Sequence, residues 1–132
     1  MIPWSPLGGG FLSGKYRRGE EPPQGSRISE AMESMEEYWD RRATERNWAT
    51  IDVVGRISEE TGKSYAQISL NWLLRQESVT APIVGARTME QLEDNLGASG
   101  WELDDEQVDE LSEASALEDV YPYRFIRNAQ RV

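Results

Sequence analysis

Only two short runs in this 132-residue sequence have the composition of a buried strand, and each leads directly into glycine. Met1 to Trp4 is apolar and passes through Pro6 into Gly8-Gly9-Gly10, while Val79 to Val84 is β-branched, contains one proline and is bounded by Gly85. A strand, a glycine turn and then helix make a βα unit, whose usual outcome is parallel strands with helices packed outside. Two strands cannot bury both faces of a sheet. The expected architecture is therefore α/β but mostly helical by content, and the remaining apolar surface has to be covered by something else.

The helices are legible from periodicity and caps. Phe11 to Lys15 is expected to form a turn of helix, followed by a mobile polar loop from Arg17 to Arg27. From Ser29 the pattern turns helical, with Met32, Met35 and Trp39 on one face. Trp48, Ile51, Val54 and Ile57 make a second stripe that Gly62 is placed to end. Ser64 with Gln67 is a capping-box pattern ahead of a helix reaching about Gln76. Thr88 with Gln91 repeats it, ahead of an apolar face of Met89, Leu92 and Leu96 that stops near Gly97. Leu103, Asp104, Gln107 and Val108 combine a box with a hydrophobic staple, opening a last helix to about Ala114. The tail 117–132 carries Tyr121, Tyr123 and Phe125, and is expected to lie over the body as an extended segment. All of this fits one domain over residues 1–132.

Composition removes several kinds of function. Without cysteine or histidine the chain has no disulfide framework, zinc finger, cysteine nucleophile or histidine relay. No metal site is expected. The net charge of −10, from 24 acids against 14 bases, opposes phosphate backbones and anionic membranes. An acidic surface with only two lysines, Lys15 and Lys63, suits concentrated salt, where screening relieves self-repulsion. The start has no basic region and only a short apolar run, so neither a targeting nor a spanning segment is expected, and the chain reads as cytoplasmic.

Two constellations carry chemistry, each directly after an expected strand, the edge at which parallel α/β folds bind ligands. In Trp4-Ser5-Pro6-Leu7-Gly8-Gly9-Gly10-Phe11-Leu12-Ser13-Gly14-Lys15-Tyr16, glycines admit close approach of an anion to the backbone. Ser5 adds a hydroxyl and Lys15 a point charge, which suits a pyrophosphate. A glycine run of this kind also serves as a plain turn. The second constellation, from Pro82 through Gly85-Ala86-Arg87-Thr88 to Asn95, ends on a capped helix amino terminus with free N–H groups. There Gln91, Asp94 and Asn95 share a face and are placed to hydrogen-bond a base edge; a capped helix with a solvated polar face has the same spacing.

Taken together, Trp-Ser-Pro-Leu with Ser-Gly-Lys-Tyr, and Gly-Ala-Arg-Thr with Glu-Gln-Leu-Glu-Asp-Asn, resemble the paired cofactor loops of the aldo-keto reductases. The resemblance is chiefly to bacterial and archaeal members that also resemble potassium-channel β subunits, and it runs from Ile2 into the tail. That family folds as a (β/α)8 TIM barrel, so the resemblance implies a partial barrel, two βα units plus extra helices, from the seventh strand onward. It implies NADP(H) as cofactor, with NAD(H) the other candidate. Trp4 matches the aromatic that stacks on nicotinamide. Ser5, Pro6, Leu7, Gly8 and Gly9 match the pyrophosphate loop, with Lys15 near the phosphates, and Arg27 matches an arginine on the 2′-phosphate side. Gly85, Arg87 and Gln91 match the adenosine-phosphate segment, and Asp94 and Asn95 the pair that reads adenine. Arg87 stands where relatives carry a small hydroxyl residue, and Asp94 is shorter than the usual Glu; both bear on the choice between NADPH and NADH.

The family's Tyr-Lys-Asp-His site comes from strands upstream of this region, so no catalytic residue is assigned here. The resulting expectation is a cofactor-binding carboxy-terminal portion of a reductase, a truncated product or fragment inactive by itself. It would self-associate or pair with an amino-terminal barrel portion. The alternative is a catalytically inactive acidic helical interaction protein derived from a reductase.

Overall fold

A computed structural model describes residues 1–30 and 38–117. The expected positions Met32 and Met35, and the tail from residue 118, lie outside the described residues. A 3-10 segment, Gly8–Ser13, is followed by five α-helices: α1 (Trp39–Arg42), α2 (Glu45–Thr61), α3 (Tyr65–Leu74), α4 (Met89–Leu96) and α5 (Asp105–Ala114).

Helix starts are set by side chains that accept from their own first turn. Thr44 accepts from the Asn47 N–H, Ser64 from Gln67, Thr88 from Gln91 and Asp104 from Gln107. At Ser64 and Asp104 the glutamine side chain answers by accepting the cap residue's own N–H, which completes both expected capping boxes. At Thr88 the box is incomplete, because Gln91 Oε1 accepts from the Arg87 N–H instead, at 2.9 Å. Gly62 ends α2 as expected: it holds φ +68° and its N–H donates to the Ser58 carbonyl. The helix expected from Ser29 is not formed at that residue. Ser26 to Glu30 is a turn, held by the Ser29 N–H to Ser26 Oγ at 3.1 Å.

The stripe on α2 is the spine of the core. Trp48 and Ile51 join Phe11, Tyr16 and Ile28 in an aromatic cluster beside the glycine loop. One turn on, Val54 and Ile57 pack with Ile68, Leu103 and Leu111 between α2, α3 and α5. Tyr65 touches both clusters. Tyr16 and Ile28 anchor both ends of the 17–27 loop, and Arg18 pairs with Glu45 at 2.6 Å and Asp52 at 3.0 Å. Asn71, buried on α3, organises the turn before α5: Nδ2 donates to the Ala98 and Trp101 carbonyls and Oδ1 accepts from the Leu103 N–H.

Neither expected strand is a regular strand, since no described residue lies in one. The segments 1–4 and 78–84 nevertheless run parallel. The Met1 amino group donates to the Ser78 carbonyl and the Thr80 N–H donates to the Met1 carbonyl at 2.8 Å, the two bonds of one parallel rung. The next rung in that register needs N–H groups from Pro3 and Pro82, and proline has none. Contact resumes off register, with the Ile83 N–H donating to the Pro3 carbonyl at 2.9 Å. The apolar face expected on α4 is also unburied: Met89, Leu92 and Leu96 are exposed, and Asn95 is the buried residue of that helix.

Candidate functional site

Because 1–4 and 78–84 run side by side in the same direction, their carboxyl ends deliver the two glycine-bearing loops to one edge of the molecule. Trp4-Ser5 leaves the first segment and Val84-Gly85 leaves the second, just beyond the Ile83–Pro3 bond.

The first loop is sharply curled. Ser5 holds φ +51°, unusual for a residue with a side chain, and Gly8, Gly9 and Gly10 follow at +57°, +70° and +92°. Bonds from the Gly8 N–H to the Ser5 carbonyl and from the Gly10 N–H to the Leu7 carbonyl, both 2.9 Å, close successive turns. Ser5 Oγ is buried and has no hydrogen-bond partner among the described residues, which leaves its hydroxyl unsatisfied within the loop. Trp4 is exposed at the rim. Lys15 folds back over the loop, with Nζ 2.9 Å from where a Cβ on Gly10 would stand, and the φ of +92° at Gly10 favours glycine there. The ring of Tyr65 packs just as closely on Gly14, which ties the end of the loop to α3.

The second loop is held from α4. Asn95 Nδ2 donates to the Gly85 carbonyl at 3.4 Å, and Gln91 accepts from the Arg87 N–H. Asp94 Oδ2 accepts from the Ser64 hydroxyl at 2.9 Å, which joins α4 to the cap of α3. The three polar residues grouped on one helix face are therefore engaged by protein groups. Arg87 is exposed, and Arg27 is exposed on the 17–30 segment. A cleft of about 90 Å³ lies behind the first loop, lined almost wholly by apolar groups including Pro6, Leu12, Trp72 and Leu111.

One cation at this edge had no signal in the sequence. Arg42, the last residue of α1, places Nη1 3.9 Å from where a Cβ of Gly8 would stand. Thirty-four positions separate it from Gly8, and no motif links them; only the fold brings them together.

No helix among the described residues is long and apolar enough to cross a membrane. The Aldo/keto reductase family model matches residues 1–116. L-glyceraldehyde 3-phosphate reductase of Escherichia coli O157:H7 is 36% identical over 97 residues, covering 74% of this chain and 28% of the relative. Aldo-keto reductase yakc [NADP(+)] of Schizosaccharomyces pombe is 30% identical over 125 residues, 95% of this chain and 35% of the relative. A putative voltage-gated potassium channel subunit beta of the same yeast is 33% identical over 95 residues, 72% of this chain and 27% of the relative. The chain spans about a third or less of the length of these relatives. With nearly all of its described residues inside the matched region, and with relatives of this likeness over most of its length, the chain belongs to the aldo/keto reductase family.

Proposed function

We propose that this chain is the nicotinamide-dinucleotide-binding portion of an aldo/keto reductase barrel, from the seventh strand onward, and that it holds NADP(H) across its two glycine-bearing loops. The observation that carries the reading is the parallel apposition of 1–4 and 78–84, since it sets both loops at one edge. The residues suit the group. Left-handed glycines and the buried Ser5 hydroxyl form a cradle for a pyrophosphate, with the Lys15 ammonium above it. Exposed Trp4 offers a face for a flat ring, and Arg87 and Arg27, both exposed, are the residues that the family resemblance puts on the adenosine side. Gln91 and Asn95 support the second loop by holding the Arg87 N–H and the Gly85 carbonyl. Asp94 is steadied by Ser64 and keeps Oδ1 without a partner among the described residues, ready to accept from an amino group on a base.

When bound, the dinucleotide supplies a hydride at its nicotinamide ring, and carbonyl reduction then needs a proton donor within hydrogen-bond reach. The sequence contains no histidine, and its tyrosines and lysines are not in the contexts of the family's catalytic residues, so these residues alone bind cofactor without turnover.

Titrating NADPH while following tryptophan emission tests the reading. Saturable quenching is expected, weakened in Trp4→Leu, with no aldehyde-dependent oxidation of NADPH. Emission unchanged at millimolar NADPH in the folded protein overturns it.

A second reading, an acidic interaction protein, is favoured by one observation. Ile2 and Ile83 are exposed on the adjoining segments, and Met89 and Leu96 are exposed on α4. Under it, a second copy or an amino-terminal barrel portion covers these residues. Sedimentation expects a concentration-dependent dimer that Ile83→Asp abolishes, and a monomer at all concentrations argues against self-association.

A further inference from the structure

The glycine loop is flanked by two cations that reach it from different parts of the chain. Lys15 belongs to the loop's own segment and lies against Gly10, whereas Arg42 comes from α1 and lies against Gly8. Neither has a carboxylate within ion-pair distance among the described residues, although the chain carries 24 acids against 14 bases. Other arginines here are consumed: Arg18, Arg56 and Arg75 each pair with two acids. Arg42 is half-buried, and its Nε is buried with no hydrogen-bond partner among the described residues. Desolvating a guanidinium donor without a partner is costly. The Nε of Arg75 is buried in the same way, but its Nη groups hold two carboxylates, whereas those of Arg42 hold none among the described residues. The Ser5 hydroxyl, in the same loop, is also buried and without a partner among the described residues.

We propose that Arg42 is an anion-binding residue of the glycine loop, gripping a phosphate oxygen of the bound dinucleotide at Gly8, two residues along the loop from where Lys15 lies against Gly10. The planar fork of the guanidinium suits two oxygens of one phosphate, while the Lys15 ammonium acts as a point charge. Gly8, at φ +57°, holds a left-handed turn there, and Arg42 Nη1 stands at van der Waals distance from where its Cβ would be. This assignment rests on the dinucleotide reading for the identity of the ligand, though not for the presence of an anion site.

Calorimetric titration of the full chain with NADPH and, separately, with inorganic pyrophosphate tests it. Arg42→Gln is expected to weaken NADPH binding by about tenfold or more, the loss of one charge-assisted contact. Arg46→Gln, which removes an exposed arginine on α2, leaves affinity unchanged. If a folded Arg42→Gln protein binds NADPH as the parent does, the role of Arg42 is overturned and the dinucleotide reading stands. If the parent binds pyrophosphate in an Arg42-dependent way but not NADPH, the anion site stands and the dinucleotide reading falls. Binding of neither overturns both. Should Arg42→Gln fail to fold, Arg42→Lys carries the test: a several-fold loss is expected because the fork is gone, and equal affinity overturns the proposal.

Discussion

Isoleucine occupies both the helical core and the extended edge, and its fate differs completely between them. Ile57 and Ile68, on α2 and α3, are wholly buried, whereas Ile2 and Ile83, on the parallel segments, are 63% and 57% exposed. The core closes because three helices, α2, α3 and α5, present apolar stripes to one another and each has a capped start. The edge stays open because Pro3 and Pro82 interrupt the ladder of its two segments, and because the Ile2 and Ile83 side chains are left uncovered by the described residues while Pro3, Pro82 and Val84 are half-buried. Burial and the proposed site are therefore housed separately here. The helices carry the buried core, while the edge, with its curled loop and two cations that have no carboxylate partner among the described residues, carries the groups proposed to meet a ligand.

The comparison breaks most sharply at the isoleucines. Ile68→Ala should cost about 2–5 kcal/mol in denaturant unfolding, through lost burial and a cavity. Ile83→Ala should stay within about 0.5 kcal/mol, as exposed substitutions do. Equal losses would mean that the edge is a core of its own. Next in size is Asn71→Ala, expected to cost about 3 kcal/mol by leaving the Ala98 and Trp101 carbonyls and the Leu103 N–H buried without their partner. A thermal melt unaffected by this change would remove Asn71 as the organiser of the turn before α5.

Caps offer a finer contrast. Ser64→Ala removes a full capping box and the bond to Asp94, for about 1–2 kcal/mol. Thr88→Ala, at the start of the exposed α4, should cost about 0.5–1 kcal/mol, and hydrogen exchange should find α4 amides less protected than those of α3. The smallest effect expected is that of salt. Concentrated salt screens the −10 net charge, so the unfolding midpoint should rise by a few degrees. An unchanged midpoint would set aside the salt-adapted reading of the composition.

Much of the helical layer was legible because its determinants are local. A serine and a glutamine three residues apart satisfy each other's N–H groups, and a stripe at helical spacing faces one way whatever lies opposite. Thr88 and Gln91 have the same spacing as Ser64 and Gln67, yet only the latter pair closes a box, because Gln91 finds the Arg87 N–H first. The candidate site was legible as two loops, but not in its wiring. Nothing local announces that Asp94 meets Ser64 from another helix, that Asn95 turns to Gly85, or that Arg42 reaches Gly8.

The starts of α3, α4 and α5, the stop of α2 at Gly62, the residues of the α2 stripe, the family resemblance and the excess of acid were all present in the sequence. All of these depend on neighbours within a few residues or on composition. Only the tertiary structure decided that the two apolar runs lie parallel without becoming regular strands, that the apolar side of α4 remains exposed, and that a distant arginine lies against the glycine loop. Those outcomes depend on which segments meet across long stretches of chain and on whether a facing layer is there to cover them, and neither is written in local spacing.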